Sequence, residues 1–194
     1  MIRYIVITLL LLPAASAVQQ LLPVIGPLHG ARLLIVPLVF LCCAVTVELP
    51  VMLLLAFCAG FLWDAQAVVL PPMESAMASV SLPESLPFGA SMPLFALSGA
   101  LMQGVQPLFR RGNWRISALL TGVVLLVHLA MEFAVLSFLR GGFHLPRATF
   151  LQMTSSAGIT MLLSPLCFVL LFRIAAACDH PLHPAAGRRR TRVN

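Results

Sequence analysis

Between Glu48 and Gly89 the chain carries an apolar run of membrane length, Leu49 to Leu70, broken near its far end by Trp63-Asp64. A Pro/Ser/Glu-rich stretch follows, and apolar sequence resumes at Leu86-Pro87-Phe88-Gly89. A helix needs roughly 20 such residues to cross the hydrocarbon of a bilayer. A carboxylate at the centre of that hydrocarbon costs roughly 2.5–3.5 kcal/mol on insertion scales. Asp64 therefore demands a reason to be there.

Comparable runs recur along the chain. Of its 194 residues 60% are hydrophobic and 9% charged, against about 25% charged in soluble domains. The expected fold is an all-α integral membrane bundle of six transmembrane helices. Six spans would occupy about 120 residues and leave about 70 for loops and tails, too few in any one place for a separate soluble domain. The spans read as residues 4–22, 32–47, 51–70, 88–108, 116–139 and 150–176 within one membrane domain, 1–176. Residues 71–87, which hold Glu74 and Glu84 and no basic residue, read as an outer (periplasmic) loop. The Pro/His/Arg-rich 177–194 reads as a disordered cytoplasmic tail.

Local features refine the spans. The first also resembles a signal peptide, with Arg3, the run Ile5–Leu12 and Ala15-Ser16-Ala17, but apolar sequence continues to Leu21-Leu22. Gln19-Gln20 is expected to face other helices or the outer interface. Glu48-Leu49-Pro50 makes a reversal that leaves Leu49 in the turn, because proline biases its predecessor away from helix. Ala56 and Gly60, then Ala96, Ala100 and Gly104, recur every four residues. They are expected to let helices approach closely. Ser156, Thr160 and Ser164 form a small polar stripe, and Pro165 should kink the last span.

All twelve basic residues are arginine. Lysine chemistry, a Walker A loop or a Schiff base, is thereby excluded. With six spans and the N-terminus inside, Arg3, Arg110, Arg111, Arg115, Arg173 and the tail arginines fall inside. Arg32, Arg140 and Arg147 fall outside. That bias puts both termini in the cytoplasm. Arg110, Arg111 and Arg115 read as topology and lipid-headgroup residues, and nucleic acid is not expected as a partner. The five cysteines (Cys42, Cys43, Cys58, Cys167, Cys178) form no CxxC pair and read as small core side chains.

Few residues are equipped for chemistry. Asp64, one turn beyond Gly60 on the same helix face, should point at a partner helix. It is read as a structural or partner-contact group, with two alternatives: an ion or proton relay, or a wet, structurally minor carboxylate near the outer interface beside Trp63. His128 and Glu132, at i and i+4, share a face. They could be half a metal site or a proton pair, but a metal needs three or four ligands, so a mutually satisfied buried pair is the expectation. Gly89-Ala90-Ser91 with His128 bears a weak likeness to a rhomboid-type serine protease, from which Met92 after the serine departs. No HExxH or GxSxG motif is present. No catalytic set, metal site or cofactor is expected.

Over roughly residues 4–176 the chain resembles MreD, the small polytopic subunit of the bacterial rod-shape machinery. The likeness lies in Arg32-Leu33-Leu34-Ile35-Val36-Pro37, in Glu48-Leu49-Pro50 and above all in Gly60-Phe61-Leu62-Trp63-Asp64. That run is similar to the family's G-x-x-x-D run and is followed after a spacer by Phe88-Gly89. A basic loop, Phe109-Arg110-Arg111, precedes the fifth span, and Ser164-Pro165 stands where the family commonly has Trp-Pro. The spacer between Asp64 and Gly89 is longer than is usual in the family, and the arginine tail is an addition. The resemblance implies a fold similar to the substrate-binding subunits of energy-coupling-factor vitamin transporters. It implies a non-enzymatic scaffold in the bacterial inner membrane, working with a bitopic MreC-like protein, with RodA and its transpeptidase partner, and indirectly with MreB. Such a scaffold positions peptidoglycan insertion and so sets cell shape. The same layout also suits a subunit that binds a small vitamin-like molecule, with Asp64, His128 and Glu132 as cavity groups.

Overall fold

Proline sets where several helices begin. It lacks a backbone N–H and has φ fixed near the helical value, so it fits the first turn, where N–H groups have no partner in any case. Pro37, Pro50 and Pro93 each lie in the first turn of a helix, and Pro146 immediately precedes one. The computed structural model describes residues 2–23, 25, 30–69, 86–105, 114–142 and 146–178. Among these the chain is all-helical: α1 (Ile2–Leu21), α2 (Ile35–Thr46), α3 (Leu49–Val69), α4 (Ser91–Gly104), α5 (Trp114–Leu139) and α6 (Arg147–Ala177). The outer loop expected at 71–87, except for its last two residues, and the tail from residue 179 lie outside the described residues, as do Arg110 and Arg111.

Helices α1, α3, α5 and α6 are long and apolar enough to cross a membrane. This is a membrane protein. Its outward faces are apolar: Val6 and Leu10 on α1, Leu53 and Phe57 on α3, and Leu162 and Leu166 on α6 are exposed. A bilayer solvates such surface; water does not. The remaining two helices are shorter. The expected second span, 32–47, is helical only from Ile35, and residues 32–34 are not helical. Helix α3 begins at Leu49, which is helical rather than in the turn, with Pro50 inside the first turn.

Helix α2 is the centre of the bundle. It packs against α1, α3, α4, α5 and α6. From Val36 to Thr46 every one of its residues is buried. A helix that is apolar all round belongs in an interior, and its composition (Val, Leu, Phe, Cys, Ala) meets that condition. Twelve residues rise only about 18 Å, less than the ~30 Å hydrocarbon thickness. The ends of α2 are thus sheltered by protein, and its terminal N–H and C=O groups need partners there.

Those partners come from neighbouring helices. At the start, Val36 N–H donates to Gln19 Oε1 of α1 at 2.9 Å. The non-helical approach donates Arg32 N–H to Ser156 Oγ at 3.0 Å and Leu34 N–H to Thr160 Oγ1 at 3.2 Å, both on α6. Ser164, next along the same stripe, is buried, and its hydroxyl has no hydrogen-bond partner among the described residues. At the other end, Gln103 of α4 donates to the carbonyls of Ala44 and Val47, each at 3.2 Å. Thr46 Oγ1 donates to Cys43 O at 2.8 Å and accepts from Tyr4 Oη of α1 at 2.7 Å.

These pairs also give the directions. Tyr4 and Gln19 meet opposite ends of α2, so α1 runs against it, whereas α4 and α6 run with it. Helices α3 and α4 form an antiparallel hairpin. Arg3, Arg115 and Arg173 belong to elements ending at one end of the bundle, and Arg32, Arg140 and Arg147 to the other.

Candidate functional site

The hairpin of α3 and α4 is held at three levels. Gly60 faces the backbone of Met92; a Cβ there would stand 2.6 Å from Met92 Cα. Only glycine allows that approach. One turn on, Asp64 is buried at 3% exposure, and its Oδ2 accepts from Gly89 N–H at 2.7 Å. Gly89 has φ +94, a left-handed value that favours glycine. It sits in a turn closed by Ala90 N–H to Pro87 O at 3.0 Å. Phe88 beside it packs edge-on against Phe61 with ring centres 5.4 Å apart. Asp64 thus fastens the start of α4 to α3.

Behind this staple lies an aromatic and polar cluster. Phe95 of α4 is its hub. Its ring meets Phe40 of α2 at 5.2 Å, Trp63 of α3 at 6.2 Å and His128 of α5 at 4.7 Å, all edge-to-face. Trp63 Nε1 donates to Glu132 Oε1 at 2.7 Å and so joins α3 to α5 across the bundle. His128 Nδ1 lies 2.9 Å from Ser98 Oγ. The Ser98 hydroxyl donates to Leu94 O at 2.8 Å. A hydroxyl has one proton, so Ser98 accepts from the ring, and His128 carries its proton on Nδ1. Its Nε2 is then a bare acceptor. It is buried and has no hydrogen-bond partner among the described residues.

The expected pair of His128 and Glu132 is therefore corrected. They share a face of α5 but are bonded to other helices, His128 to α4 and Glu132 to α3. Spacing of i, i+4 brings two side chains within reach; it does not choose their partners when Ser98 and Trp63 compete. Ser91 is buried, and its hydroxyl makes no hydrogen bond to His128. It lies two turns along α4 from Ser98, the serine that His128 does meet.

The small-residue stripes divide. Ala56 is 1% exposed and Gly60 packs as described. On α4 the expected stripe lies on the wrong face: Ala96 is half-buried, whereas Ala100 and Gly104 are exposed. The close approach is one residue earlier, at Gly99, where a Cβ would come within 2.5 Å of Met52 Sδ and 2.9 Å of Phe40 Cζ. A step of one residue turns a helix by about 100°, enough to exchange the inner face for the outer.

A second glutamine link ties α1 to α3: Gln66 Nε2 donates to Ser16 Oγ at 2.5 Å, and Gln19 Nε2 donates to Gln66 Oε1 at 3.5 Å. Sequence reasoning missed Ser98, Gln66 and Gln103. Each is a polar residue in a largely apolar helix, and that was the available signal. Among the described residues no group of three or more His, Cys, Asp or Glu is placed to hold a metal. The cysteines are free, with Cys42, Cys43 and Cys167 buried. No family model, no curated protein and no solved structure matches the chain.

Proposed function

We propose that this chain is a MreD-like scaffold of a bacterial rod-shape complex: a non-enzymatic, six-span protein of the inner membrane with both termini in the cytoplasm. It helps a MreC-like bitopic protein and the wall synthases position peptidoglycan insertion. One observation carries the reading. The two separated pieces of the resemblance, Gly60-x-x-x-Asp64 and Phe88-Gly89, meet in space and build one unit, the α3–α4 hairpin, through Asp64 and the Gly89 N–H. A motif used to fix the register of two lipid-embedded helices suits a protein whose surface must be presented in one shape to neighbouring spans. The carboxylates of Asp64 and Glu132 and the Nδ1 of His128 are each engaged by another part of the chain, which favours the scaffold over a carrier whose polar groups await a ligand.

Co-purification from membranes tests it. The chain should retain a MreC-like protein, and its depletion should round rod-shaped cells. Asp64→Asn keeps an oxygen for the Gly89 N–H and should keep the partner; Asp64→Leu removes it and should lose the partner. A chain that captures no bitopic partner and whose loss leaves cell shape unaltered is not this scaffold.

A further inference from the structure

Two groups on one face of α5 each lack something that a membrane interior requires. His128, 2% exposed, uses its Nδ1 proton toward Ser98 and leaves Nε2 as an unpartnered acceptor. A buried polar atom without a partner costs about 1–3 kcal/mol. Glu132, one turn further on, accepts a hydrogen bond from Trp63 at 2.7 Å but has no cation within ion-pair distance among the described residues. An ionised carboxylate in that setting is uncompensated.

One proton meets both needs. On Glu132 Oε2 it removes the charge and creates an O–H donor, while Oε1 still accepts from Trp63. Residues i and i+4 on a helix have Cβ atoms about 5–6 Å apart, a gap that a rotation of the carboxyl can span, although the two groups are not bonded to each other in the structure. We propose that Glu132 and His128 form an intramembrane proton-binding site that holds one proton between them. The proton comes from water, and no bond between heavy atoms is made or broken. Written on the acid, it gives a neutral pair; written on Nε2, it gives a carboxylate–imidazolium pair. The count is the same. Among the described residues, Asp64, the other carboxylate on this side of the bundle, is already bonded to Gly89. Helix α4 presents Ser98 and Phe95, and α2 reaches the site through Phe40 against Phe95.

This site does not depend on the scaffold reading, and partner capture does not bear on it. The test uses the full chain in lipid nanodiscs at neutral pH. Infrared spectra should show the carbonyl stretch of a protonated carboxylic acid, moving on exchange into D2O. Glu132→Gln should abolish it, Asp64→Asn should leave it, and His128→Leu should shift it by removing the acceptor. Absence of the band in the unaltered protein overturns the proposal. So does a band that His128→Leu does not move. Nitrogen-15 spectra of histidine-labelled, unaltered protein give a reading that no variant's folding can confuse. His128 should show a protonated Nδ1 and an Nε2 displaced from the free pyridine-type position by a strong hydrogen bond. An undisplaced Nε2 also overturns the proposal.

Discussion

The two ends of α2 face opposite chemical problems inside the same bundle. Its start presents N–H groups and needs acceptors, which Gln19 of α1 and Ser156 and Thr160 of α6 supply. Its finish presents carbonyls and needs donors, which Gln103 of α4 supplies, with Tyr4 of α1 supporting Thr46. A carbonyl has two lone pairs and tolerates an incomplete set of partners better than an N–H tolerates none. The start of α2 should therefore be the more fragile end.

Mutations can break that asymmetry. The largest loss is expected from Ser156→Ala with Thr160→Val, which leaves the Arg32 and Leu34 N–H groups without acceptors. Leu34 N–H is buried and Arg32 N–H only partly so; at about 1–3 kcal/mol for an orphaned buried group and less for the other, the pair should lower unfolding free energy in bicelles by about 2–4 kcal/mol, and backbone hydrogen exchange at 32–36 should rise first. Gln103→Leu should cost less, about 1–2 kcal/mol, since each carbonyl keeps a lone pair able to find water or a helix N–H. Tyr4→Phe removes one donor while Thr46 keeps its bond to Cys43 O, and about 0.5–1.5 kcal/mol is expected. If Gln103→Leu proves the most damaging of the three, the asymmetry is wrong. If all three are equal, α2 responds to buried apolar packing and not to its caps.

Much of the architecture was legible in the sequence. Apolar runs marked the helices, and Asp64 turns inward as its spacing from Gly60 requires. The choice of partner was less legible. Asp64 bonds a backbone N–H that lies 25 positions away in sequence, and no side-chain pattern announces a backbone donor. The stripe of Ala96, Ala100 and Gly104 was visible as a period but not as a phase, because small residues suit either a close helix contact or an exposed face. Only Phe95, Gly99 and Met102, one or two positions away, fix the inner face. The short length of α2 was hidden as well. Nothing in Arg32-Leu33-Leu34 forbids helix, and the acceptors that its N–H groups use, Ser156 and Thr160, are distant in sequence.

That distance has a consequence for how the molecule is made. Arg32 and Leu34 are separated from the hydroxyls they bond by 124 and 126 residues. A ribosome releases α2 early and α6 last. Until α6 arrives, the segment leading into the central helix lacks two of its acceptors, so a chain stopped short of residue 156 would leave the Arg32 and Leu34 N–H groups unserved while Gln19 and Gln103 already hold the helix itself.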